Sequence, residues 1–213
     1  RNYSRAKRMS LRVSRLDGRV TLTLPPRTPQ REGVAFLRSK EEWLRGHLAQ
    51  LRPVAEAKVG SEVIFRGQAF PVVAGPRARA AIGTEAIEVA ARKPAGPQIK
   101  ALFRHHARDA LAAASDHYAD ALGREYTRLS IRDTRSRWGS CSAQGVLMYS
   151  WRLILAPPDV LDYVVAHEVA HLSEMNHSAA FWDTVEQLYG AYRTPRSWLR
   201  KNGSDLHRYR FEA

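Results

Sequence analysis

The feature that most constrains the fold is the motif His167-Glu168-Val169-Ala170-His171, which lies inside a segment with helical apolar spacing. Apolar residues recur around the motif every three or four positions, at Leu161, Val164, Val165, Val169 and Leu172. Residues four apart on an α-helix project from nearly the same face, one turn apart. The segment therefore predicts a helix, opened by Pro157-Pro158 and continuing to Leu172, that holds two imidazoles side by side.

This spacing is typical of a metal site. Two imidazole nitrogens one helical turn apart can share a tetrahedral zinc ion at roughly 2.0–2.1 Å. A catalytic zinc has three protein ligands and one open position, so a third donor must come from another part of the chain. Glu168 lies between His167 and His171, where its carboxylate can reach a water molecule on the ion more easily than it can replace a ligand.

His177 is the expected third ligand. It follows His171 by five intervening residues and lies between Asn176 and Ser178, which are typical of a turn that ends one helix and caps the next. A chain reversal there brings the imidazole back to the face of the first two. The competing donors are carboxylates, better suited to orienting the imidazole N–H groups: Glu174, Asp183 and Glu186.

Longer stretches around these residues carry a family resemblance. They are Arg137-Trp138-Gly139-Ser140-Cys141-Ser142, residues 151–158, residues 162–168, Asn176-His177-Ser178 and Phe181-Trp182. In these stretches the chain resembles the bacterial YgjP-like family of zinc metallopeptidases, which is more distantly similar to SprT-like and WLM-type proteases. The resemblance is dense from about residue 134 to 198. It implies a zinc ion held by His167, His171 and His177, with Glu168 as the catalytic acid and base.

The rest of the sequence predicts an α+β fold. Asp17-Gly18 and residues 61–74 indicate β-hairpins, and residues 29–51 indicate helix with a break at Ser39. Chain-breaking residues at 92–97 mark a boundary before a long helix at about 98–122. We expect a β-rich region with a helical insert at 1–94, and at 97–213 a metallopeptidase domain that the resemblance implies is zincin-like, with a small sheet.

The segment from Gly145 to Leu155 alternates large apolar side chains in the manner of a strand. Two interpretations remain open. In the first, the strand is a sheet edge beside the metal, and its free N–H and C=O groups pair with an extended peptide substrate. In the second, it is a central strand with both faces buried.

Charge and composition bear on partners. The 213 residues hold 34 Lys and Arg against 21 Asp and Glu, a net charge of +13, with basic groups at residues 1–19, 124–137 and 193–210. Nucleic acid or a nucleotide is therefore a possible partner, and a solvated basic surface is the alternative. A single cysteine excludes an internal disulfide. The sequence shows neither a membrane-length apolar run nor a signal peptide, so we expect a cytoplasmic protein.

These observations predict a zinc-dependent hydrolase of the HExxH type, most simply a metallopeptidase that cleaves peptide or protein substrates with a zinc-activated water and Glu168 as general base. A second group that stabilises the oxyanion is not identifiable, and its candidates are Arg135, Arg137, Tyr163, Tyr189 and Tyr192. Two alternatives remain: a metal-dependent nucleoside triphosphate hydrolase, and a basic DNA-binding module with a structural zinc. Cys141 and the other five histidines have no partner at catalytic or ligand spacing.

Overall fold

The structure is a computed structural model that describes residues 6–14 and 18–212. By its contacts the chain divides into two compact units, Arg1–Pro53 and Val54–Ala213. Their mixed helices and strands confirm the predicted α+β class. The predicted division into 1–94 and 97–213 stays a prediction, and its boundary segment, residues 92–97, lies inside the second unit.

The first unit contains a hairpin followed by two helices. Strands β1 (Ser10–Val13) and β2 (Val20–Thr23) pair antiparallel, and helices α1 (Gln30–Ser39) and α2 (Glu41–Ala49) follow. Lys40 separates the helices, which confirms the predicted break at Ser39. Part of the turn prediction, Asp17, lies outside the described residues, as do Arg1, Arg5 and Arg15 of the first basic group.

The second unit begins with five short strands. They are β3 (Ala55–Glu56), β4 (Glu62–Phe65), β5 (Gln68–Gly75), β6 (Ala81–Ile82) and β7 (Ile87–Ala90). Four of them form a sheet of order β4-β5-β7-β6, and the β4–β5 hairpin is the one predicted at 61–74. β3 instead pairs in parallel with β11 (Tyr209–Arg210), near the end of the chain.

Helix α3 (Ala95–Leu122) forms the centre of this unit. One face is buried along its length because apolar residues recur at helical spacing, including Ile99, Phe103, Ala107 and Leu111. Gly123 ends the helix with φ of 67°, a left-handed conformation that glycine adopts without a steric penalty. The helix thus provides the surface against which the later elements pack.

A three-stranded sheet follows, made of β8 (Arg128–Arg132), β9 (Gly139–Cys141) and β10 (Val146–Ser150) in the order β8-β10-β9. Because β10 is the central strand, its interpretation as a substrate-binding sheet edge is wrong; β9 is the edge strand next to it. The predicted strand also ends early, since Trp151–Leu155 form a 3₁₀-helix. All five of its residues are buried, and a fully buried apolar run shows no periodicity that separates strand from helix.

The last elements are helices α4 (Pro158–Ala170), α5 (Ala179–Tyr189) and α6 (Arg193–Asn202), followed by a 3₁₀-helix at Gly203–His207. α4 is buried on nearly all sides, and α3 and α5 both contact it. Helix α6 was not predicted from the sequence. Among the described helices, none combines the length and the apolar character that crossing a membrane requires.

Candidate metal centre

Helix α4 carries the first two histidines of the motif. His167 lies in its last turn, and His171 follows as the C-terminal cap with helical dihedral angles (φ −66°, ψ −13°). Their ring centroids are 5.2 Å apart with the rings nearly perpendicular. The predicted juxtaposition of two imidazoles one turn apart is therefore present.

The turn between α4 and α5 brings the third histidine to the same place. Ser178 caps α5, its Oγ accepting the N–H of Phe181 at 3.4 Å, and Asn176 Oδ1 accepts the N–H of Ser178 at 2.9 Å. These bonds fix the turn so that Nε2 of His177 lies 3.2 Å from Nε2 of His167. Two nitrogens at about 2.0–2.1 Å from a tetrahedral zinc are about 3.4 Å apart, so the observed separation fits two ligands of one ion.

Together the ligand atoms of His167, His171 and His177 lie within 4.8 Å of one another. Within residues 6–14 and 18–212, no other group of three or more histidine, cysteine or acidic side chains converges in this way. The competing donors Glu174, Asp183 and Glu186 are outside the cluster. Three imidazoles are a donor set that zinc favours and that leaves a fourth position for water or substrate.

The backbone, not a carboxylate side chain, orients His171. Its Nδ1 lies 2.8 Å from the carbonyl oxygen of Glu174, and because a carbonyl can only accept, Nδ1 carries the proton. Nε2 is then the unprotonated nitrogen that a metal requires. The sequence predicted a carboxylate in this role, and at His171 the main-chain carbonyl of Glu174 takes its place.

Phe181 holds the three rings in place. Its side chain is fully buried, and its ring centroid lies 4.4 Å from that of His171, 4.8 Å from His177 and 4.9 Å from His167. The phenyl ring therefore contacts all three imidazoles, stacking on His171 and meeting His167 and His177 edge to face. The sequence indicates the position of this residue, because Phe181 is the apolar residue three positions after the predicted cap Ser178, in the first turn of α5.

Burial favours the neutral form of two of the imidazoles, His167 and His171. Burial lowers the pKa of His167 to about 3, and the charges of His171, His177 and Arg196 act in the same direction. Burial also lowers the pKa of His171. Since only a neutral imidazole can bind a metal ion, these shifts keep the nitrogens available at pH values where an exposed histidine is partly protonated.

Glu168 lies against the edge strand of the small sheet. Its side chain is almost fully buried (7 % exposed), and a Cβ atom at Gly139 would lie only 2.5 Å from its Cγ and 2.6 Å from its Oε1. The N–H of Cys141 donates a hydrogen bond to its carboxylate. Burial raises the pKa of Glu168 to about 7, although the charge of Arg137 and the Cys141 bond oppose the change.

The sequence analysis missed this contact with β9. Gly139 and Cys141 are 29 and 27 positions before Glu168 in the chain, so no local pattern reveals their approach. Cys141 is half-buried, and burial raises the pKa of its thiol to about 11, which is consistent with a packing role.

Aromatic and basic side chains surround the cluster on its other side. Tyr163 lies one turn before His167 on α4, and Trp182 packs on both His167 and His177. Tyr192 stacks on Trp182 and Tyr163, and Arg196 lies over the Trp182 ring. Among the candidate oxyanion donors, Tyr163 thus contacts His167 directly, and Tyr192 contacts Tyr163.

The other candidate oxyanion donors lie in different surroundings. The Tyr189 hydroxyl donates to the carbonyl of Asp159 at 2.9 Å. The charge of Arg137 acts on Glu168, whereas that of Arg135 acts on His207, whose pKa burial lowers to about 4. The Tyr189 hydroxyl is thus bonded to the main chain, and the charge of Arg135 acts on a histidine outside the cluster.

Comparison with known proteins identifies the class to which this fold and site belong. The model of the YgjP-like metallopeptidase domain matches residues 7–202. The chain therefore belongs to the YgjP-like family of metallopeptidases, as the resemblance predicted. Membership implies a metal ion and peptide or protein substrates.

Solved structures and curated proteins add little to this assignment. The chain is similar to the crystal structure of the metallopeptidase zymogen of Pyrococcus abyssi abylysin, with 23 % identity and a TM-score of 0.39. That similarity covers 44 % of this chain and 92 % of the other. No curated protein matches the sequence.

Proposed function

We propose that this metallopeptidase is zinc-dependent, with His167, His171 and His177 as the protein ligands and Glu168 as the general base. The observation that carries the proposal is the convergence of three imidazoles around one point, with a buried carboxylate at the next position of the same helix. The donor set fits zinc in number and type, and the nitrogens of His167 and His177 also have the spacing of two ligands of one ion.

When bound, a zinc ion acts as a Lewis acid that activates water and polarises a carbonyl oxygen near neutral pH. Glu168 moves the proton: its carboxylate accepts one from the attacking water and returns it to the leaving amine nitrogen. The Cys141 N–H and the backbone of Gly139 hold the carboxylate in place for both transfers. A pKa near neutrality in the metal-free chain suits a group that must both take and release a proton.

Two features beside the cluster suit a peptide. Strand β9 is a sheet edge and lies against Glu168, and an edge strand is where an extended peptide can pair with a sheet through its backbone. A cavity of about 360 Å³ opens next to His171, and the residues that line it include Arg124, Gln144 and Met175. A cavity of this size accommodates a side chain of a bound peptide.

The test is a hydrolysis assay of the zinc-loaded protein on a mixture of internally quenched peptides, with Glu168→Gln as the variant. Because general-base catalysis contributes about 10²–10⁴-fold, kcat/KM should fall by that factor while zinc stoichiometry stays at one per chain. A Glu168→Gln protein that retains zinc and cleaves as fast as the parent contradicts the proposal.

Metal removal provides the control for a purely structural zinc. The proposal predicts that a chelator abolishes hydrolysis, that the circular dichroism spectrum stays that of a folded protein, and that added zinc restores activity. The reason is that α4 is packed on nearly all sides by apolar residues and does not depend on the metal for its core. Unfolding on chelation would instead indicate the structural role.

A further inference from the structure

Arg196 on α6 is held beside the candidate metal centre by aromatic contacts. Its guanidinium carbon lies 4.3 Å from the centroid of the Trp182 ring, which is close enough for a cation–π interaction. The same Trp182 ring lies 5.8 Å from that of His177, with the two planes nearly parallel, and Tyr192 stacks on it at 5.1 Å. A single side chain therefore separates the guanidinium from a metal ligand.

The charge of Arg196 affects two side chains of the site, His167 and Tyr163. At His167 it lowers the pKa in the same direction as burial, and at Tyr163 it lowers the pKa against the effect of burial. Both residues lie on α4, one turn apart, on the face that carries the histidines. The guanidinium thus lies over a ring, Trp182, that contacts two of the proposed ligands on this side of the site.

The guanidinium has no acidic partner. Within residues 6–14 and 18–212, Arg45, Arg77 and Arg152 each form an ion pair with a carboxylate, whereas Arg196 forms none. Stacking on an aromatic ring uses one face of the guanidinium and leaves the N–H donors in its plane free. Those donors match the two oxygens of a carboxylate in a bidentate contact.

We propose that Arg196 binds a carboxylate of the peptide substrate, and so sets a preference of this enzyme for acidic substrates. The inference rests on the proposed peptidase function. Because Trp182 contacts both Arg196 and His177, the bound carboxylate lies about one side chain from the ligands, a distance that suits a substrate residue near the scissile bond and not the reacting carbonyl itself. The carboxylate belongs to a Glu or Asp side chain or to a free C-terminus.

The experiment measures equilibrium binding in the Glu168→Gln background, so that no peptide is consumed. Three sets of fluorescent peptides share one neutral sequence: an amidated parent peptide, amidated peptides with one Glu at each successive position, and the parent peptide with a free C-terminus. Each set is titrated with the Glu168→Gln protein and with three double variants, in which Glu168→Gln is combined with Arg196→Gln, Arg196→Lys or Arg200→Gln. Arg200 is the matched control because it is an exposed arginine on the same helix.

We expect at least one carboxylate peptide to bind about 10-fold more tightly than the neutral peptide, the gain expected of a charge-assisted hydrogen bond. Arg196→Gln should abolish that gain, Arg196→Lys should restore part of it, and Arg200→Gln should leave it unchanged. Binding of the Glu peptides identifies a side-chain carboxylate, and binding of the free-acid peptide identifies a terminal one. Circular dichroism verifies that each variant is folded.

Equal affinity for all peptides, no measurable binding of any, or a preference that survives Arg196→Gln overturns the inference. Failure of the proposed function has a different signature, because the parent protein would then hydrolyse no peptide at all. Parent activity without a carboxylate preference leaves the peptidase proposal intact and removes only the role of Arg196.

Discussion

Two clusters of buried polar side chains lie in the second unit. The surroundings favour the charged form of the carboxyl group in one cluster, and the neutral forms of the titratable groups in the other. In the first, the Arg152 guanidinium (residue 6 % exposed) donates to Asp133 at 2.7 Å and 3.4 Å, and to the carbonyls of Leu206 and Tyr209 at 3.1 Å and 3.2 Å. Burial alone would raise the pKa of Asp133, but the bonds and charge of Arg152 prevail, so this pKa lies below its ordinary value. In this cluster the Arg152 and Asp133 side chains are charged, and these bonds provide the guanidinium with hydrogen-bond partners.

The second cluster is the candidate metal centre. There burial prevails, raising the pKa of Glu168 to about 7 and lowering that of His167 to about 3. The Nδ1 atom of His167 is buried and has no hydrogen-bond partner among the described residues. Arg137 influences Glu168 only through its charge and forms no ion pair with it among the described residues.

The difference separates a polar cluster that stabilises the fold from one arranged for chemistry. Arg152 lies in the 3₁₀-helix Trp151–Leu155, and it bonds to Asp133 just after β8 and to Leu206 and Tyr209 near the end of the chain. Its bonds are therefore contacts between distant parts of the chain. His167 and Glu168 have no ion-pair partner of this kind among the described residues, and groups with strongly displaced pKa values in one place are typical of functional sites. The following variants test this distinction.

The largest expected effect is on stability, in the satisfied cluster. Arg152→Met keeps most of the apolar stem but leaves Asp133 without its charged partner and two buried carbonyls without donors. We expect the free energy of unfolding to fall by about 3–5 kcal/mol in urea denaturation. Arg77→Met, which removes an exposed ion pair with Glu88, should cost less than about 1 kcal/mol. Similar losses in the two variants would remove the distinction.

The second prediction is a gain in stability, in contrast to the loss expected for Arg152→Met. In the metal-free protein the pKa of Glu168 is about 7, against 4.5 for an ordinary glutamate. A raised pKa means that the folded state loses stability as the pH rises from 4.5 through 7, because the buried carboxylate must then be charged. Glu168→Gln should therefore raise the free energy of unfolding by about 3 kcal/mol at pH 8 and by less than about 1 kcal/mol at pH 5.

Urea denaturation of the metal-free protein at both pH values measures this effect. Glu186→Gln, at an exposed position on α5, is the control and should show no difference between pH 5 and pH 8. If Glu168→Gln destabilises the metal-free protein at pH 8, the carboxylate is better satisfied than the contacts indicate, and the contrast with Arg152 is wrong.

The smallest effect concerns the position of the Glu168 carboxylate. Gly139→Ala introduces a Cβ atom that can be accommodated only if Glu168 or strand β9 moves. A misplaced catalytic group costs about 10–100-fold in rate, so kcat/KM should fall by that factor while zinc affinity stays at the parent value. Gly46→Ala, where the added methyl group meets no neighbouring atom, should change neither quantity. Unchanged activity in Gly139→Ala would show that the close approach has no role.

The sequence predicted the helical part of the site well, because its signals are local. The His167–His171 spacing, the Asn176 and Ser178 turn and the apolar stripe of α4 lie within about two dozen residues. The end of helix α3 at Gly123 was also predicted from a local signal, the glycine itself. Helix α4 ends at Ala170 instead of Leu172, a difference that end fraying makes common.

What escaped prediction depends on contacts between distant residues. The approach of β9 to Glu168, and the bonds from Arg152 to Asp133 and Tyr209, join residues 19 or more positions apart. The order of the small sheet is of the same kind, since strand alternation does not reveal which strand lies at the edge. Helix α6 escaped because its residues are mostly polar, and only a few of them, such as Trp198 and Leu199, pack against the core.

Zinc titration of the parent and of His177→Gln tests the central claim most directly. With three imidazole ligands, the parent should bind one zinc ion per chain. The variant should bind at least about 100-fold more weakly, since even the loss of a hydrogen-bond partner behind a ligand costs 10–100-fold. His105→Gln, which changes an exposed histidine on α3, should bind as the parent does. Parent-like zinc affinity in His177→Gln would contradict the three-histidine centre.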